Sequence, residues 1–255
     1  MAKNSTKIEV DLKKLIEVFD ERNTKYQGHT AAISVILGED LNTALFTHYL
    51  KNVEKEKNVE ILPYKVKTGW PGGHGPQLDR WIKVGKTFYQ TEIKNWCCFQ
   101  IGGYKLLLNA NEQEIKKVAE NKWEREFTRE YETNNDGVKK LTNVNKVLIK
   151  MQIPGEVKKH EFNPIKHLVI HWMPISNKNI DPFFSFPIKS SGLKSIRIKN
   201  RPKPEEIPKS LKKVHYFSCS LYLRKLIKNG ETKLTFELPN VEIRMKTINA
   251  LVNIV

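Results

Sequence analysis

The chain has 255 residues, 39% hydrophobic and 28% charged, with a formal net charge of +16. That length allows one large α/β domain or a core with a smaller appended region, and no apolar run of 18 residues exists to span a membrane as a helix. Nearly the whole net positive charge falls after residue 136, an asymmetry that suits a polyanion, because each neutralised phosphate releases condensed counterions; no basic helix with a broad apolar face argues for a membrane surface instead. The polar start, "MAKNSTKIEVDLKK", lacks the apolar stretch of a secretory signal, which predicts a cytoplasmic protein. Cys97, Cys98 and Cys219 have neither disulfide-framework nor zinc-site spacing and read as small buried residues.

In chain order, Leu12, Leu15, Ile16 and Phe19 predict a first helix capped by Asp11. A longer second helix is expected from Thr30, with Ile33, Ile36, Leu37, Leu41, Ala44 and Leu45 on its apolar side and Glu39 on its polar edge. "NVEILPYKVKTGW" reads as extended and "WPGGHGPQ" as a glycine loop. A hairpin follows. "CCFQIGGYKLLLNA" leans helical, and residues 111 to 137 form a helix through Ile115, Val118, Ala119, Trp123, Phe127 and Tyr131. "NKVLIKMQIPG" and "KHLVIHWMPIS" are strands, the second apolar enough to be central. The Pro- and Lys-rich stretch from Asp181 to Ser210 predicts edge strands and an exposed connection. Two helices close the chain, one through Cys219, Tyr222, Leu223, Leu226 and Ile227, the other through Val241, Met245, Ile248 and Leu251. A hairpin through Asn229-Gly230 competes with the first of these.

The stretch "GPQLDRWIKVGKTFYQTEIKNW" carries the chemistry. With Gly85 at the first central position, "VGKT" fits a two-residue type II′ turn. Val84 then faces Thr87, Trp81 faces Gln90, and Asp79 faces Glu92. Directly opposed like charges lie about 4.5–5.5 Å apart at Cβ and repel, so something must offset them. Lys94 falls on the face of Glu92, while Ile93 points to the other side. A divalent cation such as Mg²⁺ takes one or two carboxylates and completes its shell with water and phosphate oxygens. It can then polarise a phosphodiester and acidify an attacking water, with Lys94 orienting or deprotonating that water. The plain structural alternative is a surface hairpin whose Asp/Glu pair is screened by Lys94.

These residues resemble the PD-(D/E)xK nuclease superfamily, the restriction-endonuclease-like fold. "LDRWI" supplies the aspartate, Asp79, and "TEIKNW" supplies ExK at Glu92, Ile93 and Lys94; Gln77-Leu78 stand where the proline of the motif's name would be. The order of elements from about residue 29 to 175 matches as well. The resemblance implies an α/β protein with a restriction-endonuclease-like core and a mixed central sheet flanked by helices, to which the charge distribution adds a basic C-terminal extension. The core would be residues 1–175, with 176–255 as a basic, nucleic-acid-binding region. It further implies that Glu39 completes or supports the metal site, that Ile93 gives its backbone carbonyl to the metal, and that Trp96 packs beyond it. The expected activity is a Mg²⁺-dependent endodeoxyribonuclease, with Mn²⁺ as a substitute, acting on duplex DNA in restriction or phage defence, as a homodimer or with a partner subunit. The alternatives are an RNA-cleaving nuclease of the same fold and a non-catalytic nucleic-acid-binding protein with a vestigial site.

Other groupings carry less. His167 and His171 have metal-like spacing, but on a strand four residues span roughly 13 Å, too far for one ion. "GWPGGHGP" lacks the GK[ST] of a nucleotide loop and reads as a place where the backbone can approach DNA, with His74 a candidate for phosphate contact. The clusters "KSIRIKNRPK" and "PKSLKKVHY" offer phosphate contacts near Tyr216 and Phe217.

Overall fold

The computed structural model describes residues 5–20, 29–61, 79–94, 108–127, 131–132, 139–140, 165–172, 174–187, 213–239 and 241–251. The glycine loop with His74, Trp96, Cys97 and Cys98, the segment 101–107, the strand expected over 145–155 and the basic stretch 188–212 lie outside the described residues.

The chain opens with β1 (Ser5–Asp11), which runs directly into α1 (Leu12–Phe19). The Asp11 side chain accepts from the Lys14 backbone N–H at 3.0 Å, satisfying one of the donors that a helix start leaves open. Leu12, Leu15, Ile16 and Phe19 are all buried, as their spacing predicts. α2 (His29–Asn52) begins one residue before the expected cap, Thr30, and is broken at Gly38 (φ 51°, ψ −146°). That backbone is one L side chains rarely adopt, so the glycine divides the expected single helix into two segments.

Next come β2 (Val59–Ile61), β3 (Arg80–Val84) and β4 (Thr87–Lys94), then α3 (Glu112–Phe127), the short pair β5 (Tyr131–Glu132) and β6 (Lys139–Lys140), and β7 (Ile165–His171). After these follow β8 (Phe183–Pro187), β9 (Lys213–Ser218), α4 (Cys219–Lys228), β10 (Lys233–Pro239) and α5 (Val241–Leu251). The molecule is therefore mixed α/β. Its main sheet has six strands in the order β2-β3-β4-β7-β9-β8. β4, β7 and β9 are mutually parallel in the middle, with antiparallel partners on both sides. β7 is central and β8 an edge, as their sequences predict.

The helix reading of 219–228 holds, since Ser218 caps α4 by accepting from the Leu221 N–H at 3.2 Å. The strand β10 between the last two helices has no counterpart in the sequence reading. It pairs antiparallel with β1 along seven positions, from Ser5↔Pro239 to Asp11↔Lys233. The boundary expected after residue 175 falls between β7 and β8, and β9 inserts between those two strands, so one sheet draws on both sides of it.

Alternation along the strands gives the sheet two distinct faces. One carries Ile82, Tyr89, Ile93, Leu168, Ile170 and Phe217 into a single core with α1, α2 and α4, where Leu41, Leu45, Phe46, Tyr49, Tyr222 and Leu223 pack. The ladders place Trp81, Gln90, Glu92, His167, Val169 and Tyr216 on the other face. Burying these side chains is the main driving force for docking helices onto the sheet. It also fixes the register, because a one-residue slip would turn the apolar row outward.

Candidate functional site

The hairpin forms with the expected turn. Gly85 has φ +56°, and among the described residues the only non-glycine with positive φ is Lys55, so the unusual dihedral sits at the first turn position alone, as type II′ requires. The ladder runs Val84↔Thr87, Trp81↔Gln90 and Arg80↔Thr91. It ends there, one step before Asp79, and beyond it the Ile93 N–H donates to Asp79 Oδ2 at 2.7 Å. The carboxylate thus takes the place of a strand carbonyl and is drawn against the peptide next to Glu92. Glu92 is only 7% exposed, and Ile93, 4% exposed, packs into the core behind it. Lys94 ends β4, paired in the ladder with His171.

The Asp79 carboxylate and the Glu92–Ile93 peptide therefore meet at the carboxyl end of β4, beside the carboxyl end of β7. Glu39 is placed differently. Its Oε2 lies 3.4 Å from Arg80 Nη1, and Arg80 belongs by alternation to the helix-facing side of β3, opposite to Glu92. Arg80 also donates from Nη2 to Asp40 Oδ1 at 2.7 Å and from Nη1 to the Asp79 carbonyl at 2.8 Å. Asp40, whose side chain is 2% exposed, is paired on its other oxygen with Arg244 of α5 at 2.9 Å. Arg244 Nη1 in turn donates to the Ile36 carbonyl at 2.8 Å, next to the break at Gly38. An added Cβ at Gly38 would lie 3.7 Å from that nitrogen.

The network of Glu39, Asp40, Arg80 and Arg244 ties α2 and the C-terminal helix to the start of the hairpin. Sequence reasoning missed three of its four members. Arg80 stands beside Asp79 and Asp40 beside Glu39, but neither adjacency says which charges will meet across elements. One row along from Asp79 and Glu92, the paired Trp81 and Gln90 are buried, and Trp81 Nε1 and Gln90 Nε2 meet no acceptor. Such donors suit water or ligand oxygens rather than a cation.

The donor set at the hairpin agrees in kind with a hard divalent ion: two carboxylates and a peptide oxygen, with no sulfur or imidazole. Among the described residues no group of three or more His, Cys, Asp and Glu side chains could hold a metal ion. A cation bound by Asp79 and Glu92 would thus draw its remaining oxygens from water or substrate, the mode Mg²⁺ favours. His167 and His171 lie on β7, as expected of a strand, and the His171 Nδ1 is 2.7 Å from Tyr216 Oη. Cys219 is fully buried, which pushes its thiol pKa well up and makes it a poor nucleophile.

Compared with protein-family models, with curated proteins and with solved structures, the chain matches none.

Proposed function

We propose that the protein is a metal-dependent nuclease that hydrolyses DNA phosphodiester bonds, built on a restriction-endonuclease-like version of its mixed α/β fold. The observation that carries this reading is the hairpin register, which draws the Asp79 carboxylate onto the peptide beside Glu92 at the carboxyl edge of β4 and β7. Ligand sites in open α/β sheets collect at that edge.

Asp79, Glu92 and the Ile93 carbonyl would hold Mg²⁺ or Mn²⁺. When bound, such an ion acts as a Lewis acid on the phosphoryl oxygens and lowers the pKa of a coordinated water. The two carboxylates would supply the charged oxygens that hold the ion next to the substrate phosphate. Lys94, two residues past Glu92, would orient the attacking water or take its proton, and its charge would favour the phosphorane-like transition state. Glu39 enters through Arg80. Together with Asp40 it pins the guanidinium that holds the Asp79 carbonyl, so its part is to position the first ligand. The basic second half of the chain supplies charge for the polyanionic substrate.

The test is incubation of pure protein with supercoiled plasmid, linear duplex and structured RNA in Mg²⁺, Mn²⁺ or chelator. Plasmid should be nicked or linearised only with metal, and Glu92→Gln and Lys94→Ala should each slow cleavage on the order of a hundredfold or more. Cleavage in chelator, or cleavage undiminished in both variants, sinks the mechanism. Preferential cleavage of RNA moves the substrate class, and tight binding without cleavage favours a vestigial site.

A further inference from the structure

Away from the hairpin, α1 and α4 lie side by side and leave a groove of about 300 Å³, lined by Lys13, Ile16, Glu17, Asn177, Arg224, Ile227 and Lys228. Ile16 is buried and Ile227 half-buried, so the apolar part of the lining is recessed and the cations of Lys13 and Lys228 stand at the rim, exposed. Two of the three cations are fixed in place before any ligand arrives. Arg224 donates from Nε and Nη2 to the buried Asp20 carboxylate, both at 3.3 Å, and from Nη1 to Asn177 Oδ1 at 2.5 Å. Lys228 Nζ donates to the Asn177 backbone carbonyl. With Arg224 already bound to Asn177 Oδ1, the side chain of Asn177 still has its two Nδ2–H donors to offer an anion. Facing solvent, the groove offers lysine ammoniums and amide donors against a single carboxylate, Glu17.

The location matters as much as the charge. Asn177 lies on the segment that leaves β7, and α4 follows β9 without a break. Both emerge from the carboxyl ends of parallel strands, the edge where β4 presents Glu92. α1 and α4 pack on the face of the sheet opposite to the one that carries Glu92, so a nucleic-acid strand reaching both would pass over that edge.

We propose that this groove is a subsite for a backbone phosphate of the nucleic-acid substrate, outside the scissile position, with Lys13, Lys228 and the Asn177 amide as its ligands. The inference rests on the nuclease reading above for the identity of the polyanion. Charge neutralised at such a subsite is measurable, since each phosphate contact contributes about 0.7–0.9 to the slope of log affinity against log salt.

The experiment is fluorescence anisotropy of a labelled oligonucleotide, in chelator so that no metal-dependent cleavage occurs, over roughly 50–200 mM salt. Three proteins are compared: wild type, the double variant Lys13→Gln/Lys228→Gln, and Glu17→Lys. The double variant should lose affinity on the order of tenfold and lower the slope by about 1.5. Glu17→Lys should bind tighter with a steeper slope, a gain that misfolding cannot imitate. Unchanged affinity and slope in both variants overturns the subsite. So does an adenosine monophosphate affinity that Glu17→Lys raises while oligonucleotide affinity stays put, which assigns the groove to a free phosphomonoester. Cleavage in Mg²⁺ separates the two readings: the double variant should raise KM and spare kcat. If wild type cleaves nothing while the binding changes hold, the nuclease reading fails and the groove stands. If wild type cleaves and binding is indifferent to both variants, the groove alone fails.

Discussion

At the scale of single residues, Asp40 is the most demanding position. Its carboxylate is buried between two guanidiniums, Arg80 at 2.7 Å and Arg244 at 2.9 Å, and removing one member of a buried ion pair strands the rest. Asp40→Ala should cost roughly 3 kcal/mol, the low end for such a loss, because both arginines keep some contact with water. Urea unfolding measures this; a change below about 0.5 kcal/mol would show that the network contributes nothing net.

His215 gives a pH prediction. It packs against the rings of Tyr89 and Phe183, and burial, with Lys166 and Lys213 nearby, lowers its pKa from 6.5 to about 4. Burial lowers the pKa of His48 as well. The unfolded chain takes up these protons near pH 6.5, whereas folded His215 resists until about pH 4, so their contribution is complete above pH 6.5 and declines as pH falls through that window. The stability lost between pH 7.5 and 5 should shrink in His215→Phe; equal pH slopes for wild type and variant would contradict it.

At the scale of elements, local chemistry was legible where neighbours in sequence decide the outcome. Asp11 caps α1 because a carboxylate three residues from an N–H can reach it. The hairpin turn follows from "VGKT", and with it the facing of Trp81 and Gln90. Gly85→Ala tests the turn directly. A Cβ there meets nothing within 4 Å, so the cost is purely conformational, roughly 1–2 kcal/mol for an L residue at positive φ. A thermal shift of a few degrees downward is expected, and no shift would mean that the turn relaxes to another type. β1 was overlooked because "STKIEVD" alternates over only three apolar or β-branched positions, Thr6, Ile8 and Val10, and looks like a polar lead-in to α1. Only its partner β10, more than 220 positions away, makes it a strand. The break in α2 has the same cause: a lone glycine in a helical pattern is usually tolerated, and Arg244 from the far end of the chain supplies the donor that the opened Ile36 carbonyl needs.

At the scale of the molecule, the sheet binds distant parts of the chain into one core. β9 lies between β7 and β8, and Phe217, Tyr222 and Leu223 pack with Leu41, Leu45 and Leu168 in the same cluster. A fragment comprising residues 1–175 would leave one edge of β7 unpaired and remove these side chains. It should show no cooperative unfolding transition by circular dichroism; a sharp two-state transition in the fragment would establish an independent core.

The sequence by itself determined the class of the molecule, the net positive charge of its second half, the first helix with its cap, the hairpin turn and the pairing of Trp81 with Gln90. Each of these follows from residues a few positions apart or from a simple sum of charge. Tertiary structure alone decided that Glu39 turns to Arg80, that Asp40 and Arg244 join them, and that β10 and β9 bring the end of the chain back to its beginning and middle. Ion pairs and strand neighbours are chosen by which surfaces become adjacent when the apolar faces are buried, and that adjacency is a property of the whole fold.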